Sequence, residues 1–364
     1  MEPIIKVDEY YCMTKAPGYL YEAEHINIIL HKIKELLNIW FPKETIMNID
    51  YGVYLYEDKT FNAFSAKKDN GYVIAFSTTC LQKILQNAEE MFSNTEVLKL
   101  FNLKQSDTKS IHYYKSAIID YMSWFIALHE FYHILHGHCG KSSITEEFNI
   151  ESYKSKTEKE NFFSQILEMD ADCSAVSGLT FDIVMTAIKT NTFLKNTEET
   201  ISSEQEYMIY DFRREILFLS FSIYDLFLLF SADKKIDIKK AVENLLMYDH
   251  PLPSIRMVYT LPWIIHEVSR VLSDKDQNTL FNDIINICIA YDRIFYAKGD
   301  FSQSLQAIGN TQKATELRIN LNNGWNDIIP LLKDNAILKL QPREIITELP
   351  YWVDDNGKIL NKSN

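Results

Sequence analysis

The most chemically loaded segment of the chain is His129-Glu130-Phe131-Tyr132-His133, an HExxH spacing inside the apolar run Ala127–Leu135. On a helix four residues turn through about 400°, so His129 and His133 lie on one face, one turn apart. Two imidazoles so placed can share one Zn²⁺ at about 2.0–2.1 Å. Glu130 is rotated by about 100° from His129 and can approach a zinc-bound water without ligating the ion. Zinc brings the pKa of such a water down to about 7, and a neighbouring carboxylate can take its proton as it attacks a carbonyl. The chemistry this predicts is hydrolysis of an acyl bond, with Glu130 as general base.

A catalytic zinc site takes a third protein ligand and keeps a fourth position open. A Gly-then-His continuation at three-residue steps is absent, because His136 and Cys139 occupy those places. His136 and His138 are then expected to support the site or lie on the surface. The next source of ligands is Leu167-Glu168-Met169-Asp170-Ala171-Asp172-Cys173. Glu168 and Asp172 are four residues apart and share a helical face. Glu168 can complete the metal set, while Asp172 can reach the free ring nitrogen of a ligating histidine and hold its tautomer. Asp170 points elsewhere. Ile166, Leu167, Ala171 and Ala175 indicate that part of this helix is buried and can pack closely.

HExxH followed by ExxxD resembles the gluzincin zinc metallopeptidases. The wider order of motifs is similar to the HtpX and CAAX prenyl protease group and its soluble relatives, such as the phage-exclusion peptidase Lit. Asn62-Ala63-Phe64 resembles that group's NAF strand, and Asp249-His250-Pro251 with Arg256 resembles its HPxxxxR element. The resemblance implies a zinc-dependent endopeptidase acting on a protein or peptide substrate. It further implies that the strand at Asn62 and Ala63 lines the cleft and pairs with extended substrate. His250 would stabilise the oxyanion, and Arg256 would orient a metal-ligating or substrate carboxylate. The Lit-like branch implies a regulated protease of phage defence. The likeness covers roughly residues 60 to 260; the first 45 and last 90 residues match none of its elements. The rival reading is a catalytically silent peptidase scaffold that binds or signals, with zinc in a structural role.

The elements that must position these groups can be read from periodicity. Ile26, Ile29, Leu30, Ile33, Leu36 and Leu37 mark a helix over Tyr21–Trp40 that Pro42 closes. Val53–Tyr56, Asn62–Ser65 and Tyr72–Phe76 read as strands, the last two joined by a turn at Lys67–Gly71. Helical patterns follow over Cys80–Phe92, Ile118–His136, Phe162–Lys189 and Gln205–Ser231. The polar Lys141–Asn161 tract reads as a surface loop and a candidate lid. Pro251 and Pro253 open a helix near Ser254 that Pro262 kinks or breaks, and helix continues from Asp274 to about Leu332. The expected fold is α+β and mostly helical: a zincin-like domain over residues 46–273 with a small β-sheet, flanked by a helical segment at 1–45 and a helical extension at 274–364.

Composition limits the alternatives. A chain of 364 residues with 46% hydrophobic content has ample material for a buried core. Its formal charge of −13 opposes a phosphate backbone, so nucleic acid is not an expected partner. The five cysteines are scattered without a CxxC pair, which fits a reducing compartment such as the cytoplasm. The N-terminus shows no basic-then-apolar signal pattern. Ile216–Phe230 is strongly apolar, but it is shorter than the ~20 residues of a bilayer span and contains Asp225, so a core helix is expected there.

Overall fold

The computed structural model describes residues 5–6, 20–42, 50–56, 58–68, 71–140, 157–190, 203–232, 244–248, 250–295, 305, 311–345, 351–353 and 359–361. Helix α1 (Leu20–Trp40) buries Ile26, Ile29, Leu30, Ile33, Leu36 and Leu37, the same six positions its periodicity marks. Strands β1 (Ile5–Lys6), β2 (Tyr51–Tyr56), β3 (Ala63–Lys68) and β4 (Gly71–Ser77) form one mixed sheet in the order β1-β2-β4-β3. β4 pairs in parallel with β2 and antiparallel with β3. That central place explains its unbroken burial from Val73 to Ser77, since a strand covered on both faces has no need of alternation. β3 lies at the sheet's edge, with Ala63 opposite Phe76. A second, two-stranded sheet is formed by β5 (Tyr351–Val353) and β6 (Ile359–Asn361).

Ser77 ends β4 and caps α2 (Thr78–Ser93) by accepting from the Cys80 amide. After the short α3 (Thr95–Leu100), α4 (Thr108–Leu135) starts at Asp107, whose side chain accepts from the Ser110 amide. It is nearly three turns longer at its start than the apolar pattern indicates, because its first turns are amphipathic and half-exposed. α5 (Glu158–Lys189) opens with a reciprocal capping box between Thr157 and Glu160. The expected 141–161 loop is therefore shorter: Thr157 to Asn161 are cap and first turn, and 141–156, with the candidate lid, lies outside the described residues. α6 (Ser203–Ala232), α7 (Pro253–Val268), α8 (Asp274–Phe295) and α9 (Gln312–Leu332) follow. Within the helical pattern from Asp274 to about Leu332, the described residues form the two helices α8 and α9.

Pro262 sits inside α7 without ending it. A proline there leaves the carbonyl four residues earlier without its helical donor, and Arg318 of α9 supplies one, its Nη1 donating to Val258 O at 3.3 Å. One apolar core runs from Ile26 in α1 through α2, α4, α6 and α8 to Leu305. A second gathers the first half of α5, Leu252 to Tyr259, and α9. The C-terminal helices therefore pack into the same cores as the central elements. Ile216–Phe230 is the buried second half of α6, as expected of a core helix. Among the described residues one helix, α5, is long and apolar enough to cross a membrane. That helix also carries Glu168, Asp170 and Asp172 and packs against α4 and α7. Cys80, Cys139, Cys173 and Cys288 are buried thiols outside any disulfide; Cys12 lies outside the described residues.

Asp225, fully buried in α6, accepts from Asn87 Nδ2 at 2.6 Å and from the Tyr291 hydroxyl at 2.8 Å. Burial outweighs both hydrogen bonds and raises its carboxyl to about 7. The unfolded chain then loses this proton near pH 4 while the folded chain holds it to about pH 7, so the folded state loses stability as pH rises across that window. Asp225→Asn, with the Asn87 amide reversed to present its oxygen, is expected to be more stable than wild type by an amount that grows from pH 4 to a plateau of about 4 kcal/mol above pH 7. Denaturant melts at pH 5 and pH 8 measure it; an equal difference at both would show that the carboxyl is not held neutral.

Candidate metal centre

The last three turns of α4 are buried on nearly every side, so His129, Glu130 and His133 are all enclosed, at 3%, 1% and 1% exposure. α5 packs across α4 and brings Glu168, 4% exposed, to the imidazoles. Nε2 of His129 and Nε2 of His133 are 3.1 Å apart. Glu168 Oε2 lies 3.5 Å from the first and Oε1 lies 3.5 Å from the second. Two donors each about 2.1 Å from one ion at a tetrahedral angle lie about 3.4 Å from one another. The three residues therefore converge as a group that could hold a metal ion, each offering one atom within 4.8 Å of the others.

The surrounding groups hold these donors in aim. His129 Nδ1 lies 2.9 Å from Asp172 Oδ1, so its other nitrogen faces the cluster. Asp172, fully buried, accepts from Arg256 Nε at 2.8 Å and Nη2 at 2.6 Å, and from the Tyr259 hydroxyl. The Arg256 guanidinium also lies 4.4 Å from the centre of the Phe227 ring. Burial pushes the Asp172 carboxyl up, but Arg256, then His129, outweigh it and leave it below the usual value. Burial acts against the Glu168 carboxyl in the same way. His250, whose Nδ1 is 3.2 Å from Oε2, and then His129 hold it well below the ordinary range. Burial, reinforced by His129, lowers His133 to about 4, so its ring is neutral at pH 7 and can offer a lone pair. The result is a buried site with ionised carboxylates and a neutral imidazole, which is the protonation pattern a cation requires of its ligands.

Glu130 projects toward the sheet side: its charge is felt at His133 and also contributes to raising the Cys80 thiol and the Tyr56 phenol, which burial raises first. Asn62 and Ala63 lie beside this region. The Asn62 amide donates to Ser77 Oγ at 3.1 Å, and its carbonyl accepts from the Ser77 amide at 2.8 Å. The Ala63 side chain is fully buried, which leaves backbone groups as what the edge of β3 can present. No described strand pairs with the outer edge of β3.

The structure places Arg256 differently from the family expectation. It grips Asp172, which faces His129, rather than Glu168, and is itself 3% exposed. Two of the guanidinium's N–H groups meet the two carboxylate oxygens in the paired geometry such a fork favours. His250 likewise lies against Glu168. Three further residues join this arrangement. Tyr259 is three residues beyond Arg256 on the same face of α7. His138, fully buried, has Nδ1 2.7 Å from His133 Nδ1. Arg343, near the C-terminus, donates to Asp170 Oδ1 at 2.9 Å. Asp170, as expected, faces away from the three-residue cluster; its Oδ2 is 2.5 Å from His136 Nδ1 and 3.4 Å from His138 Nε2.

Compared with protein-family models, with curated proteins and with solved structures, the chain gives no match. The functional reading therefore stands on the geometry of these residues.

Proposed function

We propose that the chain is a zinc-dependent metallo-endopeptidase of gluzincin type, with His129, His133 and Glu168 holding zinc and Glu130 as general base. The observation that carries this is the convergence of the three donors at 3.1–3.5 Å, with Glu130 next in sequence to one of them. The donor set favours zinc over calcium or magnesium, which take six or more oxygens or keep several waters. Zinc held there would bring a bound water's pKa to about 7 and polarise a substrate carbonyl.

Glu130 then takes the proton of the attacking water and later delivers it to the leaving amine, so that C–O forms as C–N breaks and the proton ends on nitrogen. An extended substrate is read by the edge of β3 from Asn62 onward through main-chain pairing. Asp172, held by Arg256 and Tyr259, keeps the His129 ring oriented. His250, whose Nδ1 faces Glu168, keeps that carboxylate ionised and offers its other ring N–H to the developing oxyanion.

Elemental analysis of purified protein is expected to find one equivalent of zinc, lost in His129→Ala, together with chelator-sensitive cleavage of a peptide library. Full zinc occupancy in His129→Ala would overturn the ligand set. Zinc without cleavage of any peptide would favour the silent scaffold.

A further inference from the structure

His133 has a partner of an unusual kind behind it. Where His129 faces a carboxylate, the Nδ1 of His133 meets another imidazole, His138, at 2.7 Å. Two Nδ1 atoms at that distance share one proton, so one ring donates and the other accepts. If His133 is to offer Nε2 to a metal, the shared proton must sit on its own Nδ1. His138 must then accept through Nδ1 and carry its proton on Nε2, the nitrogen that faces Asp170 Oδ2 at 3.4 Å. Asp170 is in turn held by Arg343 and His136. The chain of contacts runs from His133 through His138 and Asp170 to Arg343, a residue 173 positions from Asp170 along the sequence.

The backbone shows the same dependence. His138 returns to the buried end of α4 because Gly137 takes a positive φ of 79°, in the region that favours glycine. A Cβ on Gly137 would meet Ala336 N at 2.5 Å, so the C-terminal segment lies directly on this turn. The amides of Ile337 and Leu338 donate to Leu135 O, the last carbonyl of α4, at 2.8 and 3.0 Å. Trp263 and Trp325 flank the Arg343 guanidinium at 5.2 and 5.5 Å.

We propose, on the reading of His133 as a metal ligand, that His138 is its positioning residue and that the 335–343 segment is a working part of the metal centre through Asp170 and Arg343. His136, His138 and Asp170 also meet the spacing of a second metal site. The details oppose that use. The His136–Asp170 separation of 2.5 Å is that of a hydrogen bond rather than of two ligands of one ion, and Arg343 already places a cation on Asp170.

The test is titration of full-length, metal-stripped protein with Zn²⁺ and Co²⁺, reading affinity, stoichiometry and the visible d–d bands of the cobalt form. His138→Phe keeps a ring but removes the acceptor, and is expected to lower Zn²⁺ affinity by about 10- to 100-fold and to move the cobalt bands. His138→Asn places Oδ1 where Nδ1 stood and is expected to recover affinity to within a few-fold. Arg343→Leu should weaken binding in the same direction by less, and it carries the test if His138→Phe does not fold. Wild-type affinity and bands in both His138→Phe and Arg343→Leu would overturn the proposal while leaving the metal centre intact. Two equivalents in wild type falling to one in His138→Phe would also overturn it, by making His138 a ligand. Absence of binding in wild type would bring down the metal centre and this inference together.

Discussion

Glu130→Gln is expected to bind a full equivalent of zinc and to lose about 10³- to 10⁴-fold in kcat, the upper part of the range that a positioned general base supplies. The amide is nearly the same size as the carboxyl, and Glu130 is not among the three converging donors, so neither the packing at 1% exposure nor the ligand set should change. What the substitution removes is the capacity to accept a proton. It also removes a negative charge that contributes to raising the Cys80 thiol and the Tyr56 phenol. The two readouts are independent: elemental analysis for zinc, and turnover of whichever peptide the library screen yields. Retained zinc with wild-type turnover would show that another group takes the proton. Loss of zinc would show that Glu130 belongs to the ligand set and that its role has been misread.

What the sequence made legible is local. HExxH states its own geometry because the helix period is fixed, and the ExxxD spacing does the same for Glu168 and Asp172 once α5 is recognised as a helix. The buried stripe of α1 was readable because it advertises its period in apolar residues, and the central strand β4 because it is an unbroken apolar run beside a turn. The sequence could not say which α5 carboxylate meets which histidine, because that depends on the crossing of two helices. Nor could it decide between the two places expected for His138, whose return depends on one backbone angle at Gly137, or foresee Arg343, whose partner lies in a distant helix. Arg256 is the instructive case. Its motif was noticed, but its role was assigned by analogy to a carboxylate at the reacting centre, whereas the fork closes on Asp172, one layer further from the ion site. A motif places a residue near a site; only packing decides which oxygen it holds.

That layer is where the second large effect is expected. Arg256→Leu should destabilise the metal-free protein by about 3–5 kcal/mol, the usual result of leaving one member of a buried pair without its partner. Asp172 would keep only Tyr259 and His129 to stabilise a charge at 0% exposure, and the guanidinium would vacate its place over Phe227. Arg256→Lys should recover little, since an ammonium cannot occupy both arms of the fork. The sign with pH follows from Asp172. Its carboxyl now lies below the usual value, so the pair contributes stability above about pH 4 that is lost as acid protonates it. The deficit of Arg256→Leu against wild type should accordingly shrink on acidification. The companion variant Arg256→Leu/Asp172→Asn removes both charges while leaving an amide oxygen to face His129 Nδ1. It should regain much of the lost stability, so the double-mutant cycle should return a coupling of several kcal/mol. Denaturant unfolding of the metal-free variants supplies all four corners of the cycle. A deficit under about 1 kcal/mol for Arg256→Leu, the size of an exposed pair, would mean that water reaches this carboxylate and that His129 is oriented by something else.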